Sequence, residues 1–471
     1  MISLNDFSSS IRVGIGKKEL ICLVLLLFSL GIISSFNPFL TFVTLTGLIL
    51  LLIGTLYPRE AFLVVGIFLI FQAAIVRNMM LLGSPEEIVN FVKRADEFIW
   101  ILFIAYILLH YYKGSTWELK KTQLAFPAMM LAIFGLISAF YNRSSLLWSS
   151  IAIFLGLKGF FMYWIASNIN IENRKVILFF KTVIYILFFC ALIGILQFMG
   201  LDILAKAGTS ERLGVRVAHS IFAHHGTFGS LMAVGIALTI GLTFSTKKIK
   251  WPIFTIIMAL GLIASSVRRS LLGLLFGLIF VLLNHKKFEI SKKYTYASLW
   301  LFILLLTFFG GRVGMIIKGT KFEYGASIHP RYWLYFGGYK IIRNKPLLGE
   351  GPGEYGSFVS VLRKSKTYAK YGIIVEDRYK MDAYWASIAG EYGLLGLLAM
   401  VLMLVILFRT LIGNFNLSNK VSFMQGIYIG YIILFIDFLV ESITSSVYLN
   451  SLTQFILFAG IGLLKSTEIE K

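Results

Sequence analysis

At 471 residues, with 58% hydrophobic residues, 42 Phe and a mean hydropathy of +0.82, the chain is too apolar for a water-soluble fold. A formal charge of +21 raises nucleic acid as a partner, but the basic residues lie in short loops between apolar runs and in one long polar interval, which is membrane topology. Nucleic acid is set aside on that ground, and Cys22 and Cys190, each inside an apolar run, imply neither a disulfide framework nor a metal site.

Lys17 and Lys18 precede an apolar run from Leu20 to Ile33, as in a signal peptide. Ser34-Ser35-Phe36-Asn37-Pro38-Phe39 is a poor cleavage site and leads at once into another span, so a retained first helix is expected. Apolar segments lie near 20–34, 39–56, 61–75, 98–112, 124–141, 149–166, 176–199, 221–244, 251–267, 270–283, 296–309, 386–408, 421–440 and 447–464. Several fall short of the roughly 20 residues a perpendicular helix needs, so their ends must extend into polar flanks. The expectation is an all-α polytopic membrane protein with about fourteen transmembrane helices. Residues 1–309 hold about eleven, 310–385 form one long extracytoplasmic loop containing amphipathic helices, and 386–471 hold about three.

Counting Lys and Arg in alternate loops orients the chain. One set carries Arg12, Lys17, Lys18, Arg59, Lys113, Lys120, Lys121, Arg174, Lys175, Lys247, Lys248, Lys250, Lys286, Lys287, Lys292, Lys293, Arg409, Lys420 and Lys465, and the opposite set is much poorer. Both termini are therefore expected in the cytoplasm and the long loop outside, long loops being exempt from the rule. This topology gathers Arg143, Arg212, Arg216, His219, His224, His225, Arg268, Arg269, Asp382 and Glu441 on or near the outer face with the 310–385 loop.

Arg268 and Arg269 stand in a turn too short for an ordinary connection, at the rim of the apolar slab, where an unpaired charge is expensive. They need an anionic partner, either a structural ion pair or a phosphate matched to the guanidinium fork. His219, His224 and His225 introduce the span at 221–244; no Cys or HExxH spacing supports zinc, which leaves hydrogen bonding to a sugar or phosphate, or a structural role.

In the long loop, aromatic and apolar residues at Tyr332, Tyr335, Phe336, Tyr339 and Ile342 recur at helical spacing, predicting an amphipathic helix over 331–343 that carries Arg331, Lys340 and Arg343. Pro346 ends it, and Gly349, Gly351 and Gly353 permit a tight loop whose amides either face an anion or serve a plain turn. Asp382, where the loop re-enters the membrane beside Tyr384 and Trp385, either acts as a base or pairs with a loop arginine. Pairing with the arginines is the default for Glu391, Asp437 and Glu441, and Lys158 is read as a buried partner of such an acid or as a residue holding two helices in register. No Asp-x-Asp pair occurs in an outward loop, so a divalent metal holding a pyrophosphate is not signalled and leaving-group charge falls to arginines.

These features together resemble the bacterial O-antigen polymerase and O-antigen ligase superfamily: many spans, an Arg at a tight outward turn, a long outer loop with Arg331, Trp333 and Pro346-Leu347-Leu348-Gly349-Glu350-Gly351-Pro352-Gly353, then a re-entering Glu391-Tyr392-Gly393-Leu394-Leu395-Gly396 helix. The likeness covers roughly residues 210–410. It implies an integral inner-membrane glycosyltransferase that inverts the anomeric carbon and acts on the outer face upon glycans linked to undecaprenyl pyrophosphate, amid membrane lipid and with a chain-length regulator as a usual partner. Arg269, followed by Ser270, matches the family's Ser-Arg-Gly turn, with Arg268 beside it, and Arg331 matches the loop arginine. Ligases carry His-Asn at the start of the re-entering helix; Asp382-Ala383 stands there instead, which favours a polymerase. Expected catalytic residues are thus Asp382, Arg269 and Arg331, with Arg268, Arg216, His224, His225, Lys340 and Arg343 binding pyrophosphate or sugar, and no cofactor or metal. The rivals are a ligase and, in another class, a flippase for lipid-linked oligosaccharide, which the few deep charges, chiefly Lys158 and Lys181, disfavour.

Overall fold

The computed structural model describes residues 58–81, 83–112, 122–169, 171–201, 209–212, 215–222, 224–246, 248–288, 290, 330–376, 379–417, 422–446, 448 and 450–466. The expected spans at 20–34, 39–56 and 296–309, and residues 310–329 of the long loop, lie outside them. The chain divides into two units, Met1–Ala61 and Phe62–Lys471, and the description below concerns the second.

Each apolar segment expected within the described residues is helical. In chain order they are α1 (Pro58–Leu81), α2 (Glu86–Tyr112), α3 (Ala125–Tyr141), α4 (Leu146–Asn168) and α5 (Asn173–Phe198). A hairpin of β1 (Thr209–Arg212) and β2 (Val215–Ala218) follows, antiparallel with Glu211 opposite Arg216, then α6 (His225–Thr246), α7 (Lys250–Ser265) and α8 (Arg268–Leu283). The polar interval supplies α9 (Pro330–Asn344), with proline at its first position where a missing N–H is harmless, and the short α10 (Phe358–Leu362) and α11 (Thr367–Lys370). The chain closes with α12 (Tyr384–Leu417), α13 (Ser422–Ser442), α14 (Ser451–Gln454), a π-helical turn at Phe455–Ala459 and α15 (Gly460–Ser466).

Among the described residues, five helices are long and apolar enough to cross a membrane: α4, α5, α6, and residues Tyr384–Phe415 and Phe423–Ser442 of α12 and α13. Outward-facing residues agree with a lipid environment. Leu394, Leu398, Val401 and Val405 form an exposed stripe at helical spacing along α12, as do Phe126, Met129, Ile133, Leu136, Ile137 and Phe140 along α3. Apolar patches this continuous are not left open to water by a soluble monomer. The molecule is a mostly helical membrane protein.

Helix α6 packs against α7 and α13, and α13 against α8. The α6–α13 crossing is close because Gly426 and Gly430 form a G-x-x-x-G pair: a Cβ on Gly430 would stand 2.8 Å from the Leu238 Cα, and one on Gly241 would stand 2.6 Å from the Gly430 nitrogen.

Of two internal polar contacts, Lys158 ties helices together, as one of its two readings had it, and Glu391 differs from the sequence expectation. Lys158 pairs not with a late acid but with Asp96, at 3.1 Å, and also donates to Ser451 Oγ, while Gln72 donates to the other Asp96 oxygen. The reason is that α2 begins at Glu86, so Asp96 lies within a helix rather than in the flank of the span expected at 98–112. Glu391, 2% exposed, pairs with no arginine among the described residues; it accepts from the Tyr355 amide at 3.1 Å and from Ser357 Oγ.

The segment between α9 and α12 is fastened to a break in α12. Gly393 has φ 66° and ψ −162°, so the helix opens there and its freed groups find partners outside it. Leu394 N donates to Pro346 O (2.8 Å) and Leu395 N to Leu347 O, while Glu350 N and Gly351 N donate to Gly390 O (2.8 Å) and Glu391 O (3.0 Å). Those two amides of the glycine loop are therefore spent on α12, which realises the turn reading of the loop. Leu334, Gly337, Gly338 and Ile341 of α9 are buried, Leu334 and Ile341 in one core with Tyr355, Tyr368, Tyr371, Ile373 and Ala386.

Candidate functional site

The α7–α8 connection reverses within two residues. Ser266 takes the left-handed conformation (φ 56°), Val267 is extended, and α8 starts at Arg268, which sets Arg268 and Arg269 in its first turn. Arg269 leans on the last turn of α13, where its Nε lies 3.7 Å from Glu441 Oε2; the arginine side chain is 29% exposed and the glutamate 0%. Glu441 also accepts from Ser230 of α6, at 2.9 and 3.2 Å, and from Ser270 of α8. Three helices thus meet at one carboxylate. Asp437, one turn earlier on the same face, is likewise fully buried.

On its other side Arg269 faces the start of α6. A Cβ on Gly226 would stand 2.8 Å from His224 Nδ1 and 3.4 Å from Arg269 Nη2, which places the guanidinium beside this first turn of α6. The Gly226 amide donates to His224 Nδ1 at 2.9 Å, which makes Nε2 the donor nitrogen of the neutral ring. The His224 and His225 rings lie 4.2 Å apart, and His219 lies 5.7 Å from His225. The turn carrying His219 is fixed to α5: Ser220 N donates to Gln197 Oε1 at 2.8 Å, Gln197 Nε2 returns to Ser220 O, and Ser220 Oγ donates to Cys190 O. Helix α6 contributes the positive end of its dipole to this same place.

The second arginine, Arg331, reaches the same end of α13 from α9. Arg331 Nη2 lies 3.2 Å from Asp382 Oδ2, each side chain about one-third exposed. One turn along α9, Tyr335 donates to Ile443 O at 2.6 Å; at the start of α12, Trp385 Nε1 donates to Ser442 Oγ at 2.8 Å and Tyr384 packs on Tyr448. Ser442 and Ile443 directly follow Glu441. The contacts of Arg269 and those flanking Arg331 and Asp382 therefore converge on one short stretch, although their residues are more than 100 positions apart in places.

Other expected residues are placed elsewhere. Lys340 donates to Tyr371 O at 3.1 Å and lies over the Phe336 ring, and Arg343 is exposed at the far end of α9. At 1.5 Å rise per residue they stand about 14 and 18 Å along the helix from Arg331. Arg216, on β2, passes the end of α5, where its Nη1 would lie 3.6 Å from a Cβ on Gly200. Near Lys340, Glu350 accepts from Lys370 (2.7 Å), Tyr371 (2.6 Å) and Lys345 (3.2 Å). Burial pushes the Glu350 carboxyl up, but these donors outweigh it and hold the group below its ordinary 4.5.

Sequence reasoning passed over Ser230 and Ser270 as ligands of Glu441; Ser270 adjoins Arg269 and Ser230 follows His225 by five positions, but only the packing of α6, α8 and α13 aims them at one acid. Among the described residues no group of three or more His, Cys, Asp and Glu side chains is arranged to hold a metal ion. No protein-family model matches the chain, and no curated protein matches it.

Proposed function

We propose that the chain is a glycosyltransferase of the cytoplasmic membrane that polymerises undecaprenyl-pyrophosphate-linked repeat units into O-antigen or a related surface polysaccharide on the outer face. The observation that supports this reading most is the meeting of Arg269, the α6 N-terminus with His224 and His225, and the Arg331–Asp382 pair around the end of α13. In this reading Arg268, Arg269 and the helix terminus take up charge on the departing pyrophosphate, which needs fixed donors where charge develops. His224 and His225 supply hydrogen bonds to phosphate or sugar. Asp382 orients or deprotonates the acceptor hydroxyl, with Arg331 holding its carboxylate and joining the phosphate contacts as the acceptor arrives. The growing glycan leaves its lipid pyrophosphate and joins the non-reducing end of the next lipid-linked unit, with inversion at the anomeric carbon.

A ligase would use the same donor and differ in its acceptor. A flippase is less well supported, because the deep charge at Lys158 is closed off by Asp96 and Ser451 rather than set along a polar path. Cells carrying Arg269→Ala as their sole copy separate these readings. The polymerase reading expects lipid-linked single units still exposed outside and no long polymer; loss of that exposure points to the flippase, and long polymer left unattached to its acceptor points to the ligase.

A further inference from the structure

We infer that Glu441 is the counter-charge that keeps an anion at Arg269 exchangeable, a positioning residue that acts through the arginine. This rests on the reading of Arg269 as a pyrophosphate ligand.

Glu441 is fully buried; it accepts from Ser230 Oγ and Ser270 Oγ, and the Arg269 guanidinium, 3.7 Å away, faces it as a cation, all of which favour a charged carboxylate. Asp437, one turn below, lies against the α8 backbone at Gly273 without a serine partner. The arginine meets Glu441 through Nε at 3.7 Å, while its Nη2 lies on the side of Gly226 and His224 at the start of α6. Glu441 therefore sits behind the guanidinium and leaves part of its fork turned to the site.

Two effects of removing the Glu441 charge compete. The arginine loses an anchor, which would loosen a bound anion; the anion loses a buried negative charge on the far side of its ligand, which would tighten it. The anchor is a long contact that a glutamine amide oxygen can replace, whereas the charge acts at a low-dielectric rim across little more than one side chain. The electrostatic effect is the larger. With the carboxylate present, the arginine and helix terminus hold a pyrophosphate through the transfer and still release it. Without it, the product is retained.

The test is equilibrium binding of inorganic pyrophosphate to the purified full-length protein in detergent, compared among wild type, Glu441→Gln, Arg269→Ala and the double variant. The expected result is at least tenfold tighter binding by Glu441→Gln, weak binding by Arg269→Ala, and no effect of Glu441→Gln in the Arg269→Ala background. Glu441→Asp, which keeps the charge, should bind as wild type, and Glu441→Met serves in place of the glutamine variant if that one does not fold. Equal or weaker binding by the uncharged variants overturns the inference, as does the same change in both arginine backgrounds, the mark of a structural role. Absence of pyrophosphate binding by wild type overturns it too. Tighter binding by Glu441→Gln in a protein that makes no polymer would sustain the counter-charge and remove the polymerase reading instead.

Discussion

Lys158 and Asp96 lie 3.1 Å apart with each side chain 3% exposed, and a charge so placed is tolerable only while its partner is present. Lys158→Met should destabilise the protein by roughly 3–5 kcal/mol, because it leaves Asp96 buried with Gln72 alone, and the double variant Lys158→Met/Asp96→Leu should recover most of that loss. Thermal unfolding in detergent reads both. A double variant as unstable as the single one would mean that the pair does more than balance charge. Glu350 makes a contrasting prediction in pH. Its folded carboxyl titrates below the ordinary 4.5, so its bonds to Lys370, Tyr371 and Lys345 contribute fully above that pH and are lost as the pH falls through the folded value. Amide exchange in residues 345–372 should therefore accelerate on acidification below about pH 4.5, and Glu350→Gln should abolish that acid step.

At the scale of elements, the break in α12 is what fixes the segment between α9 and α12. Gly393 combines a positive φ with a packed backbone: a Cβ there would stand 2.6 Å from the Leu348 nitrogen. Gly393→Ala should destabilise by roughly 2–5 kcal/mol, the sum of backbone strain and overpacking. Limited proteolysis of the 345–383 segment should rise with it, since its ties to α12 pass through this point; an alanine variant with wild-type melting and protection would refute that account. The α6–α13 crossing works differently, by close approach. Gly430→Leu should drive α13 from α6 and separate Ser230 from Glu441, lowering activity through geometry although no charged group is altered.

For the whole molecule, helix positions were legible because apolar runs of spanning length dominate the chain, and the 331–343 helix because its apolar residues recur at 3.6-residue spacing. The short turn that sets Arg268 and Arg269 at a helix start was legible too, since nothing but a tight reversal fits between the two runs. Pairing of Asp382 with a loop arginine stood as one of two open readings, and Arg331 fills that role. The Arg269 partner of Glu441 follows the default pairing of acid with arginine, whereas Asp96 as the partner of Lys158, the donors to Glu391, and Ser230 and Ser270 at Glu441 were not legible. Each depends on which helices pack together, separations of 62 positions for Lys158 and Asp96 and 211 for Ser230 and Glu441, and local pattern carries no record of that. The break at Gly393 was hidden for a related reason: its glycine resembles any other in an apolar helix until the loop that repairs the backbone is in place.

The central claim is that this arginine-lined end of the bundle transfers a glycan from a lipid pyrophosphate. Its most direct test is to supply the purified protein with a synthetic undecaprenyl-pyrophosphate repeat unit and a chelator, and to resolve the lipid-linked products by length. The account predicts a ladder of lengthened glycans that Arg269→Ala and Asp382→Ala both abolish, each variant being folded by its melting curve. A ladder undiminished in either variant, or no transfer from matched donor to any acceptor, would contradict it.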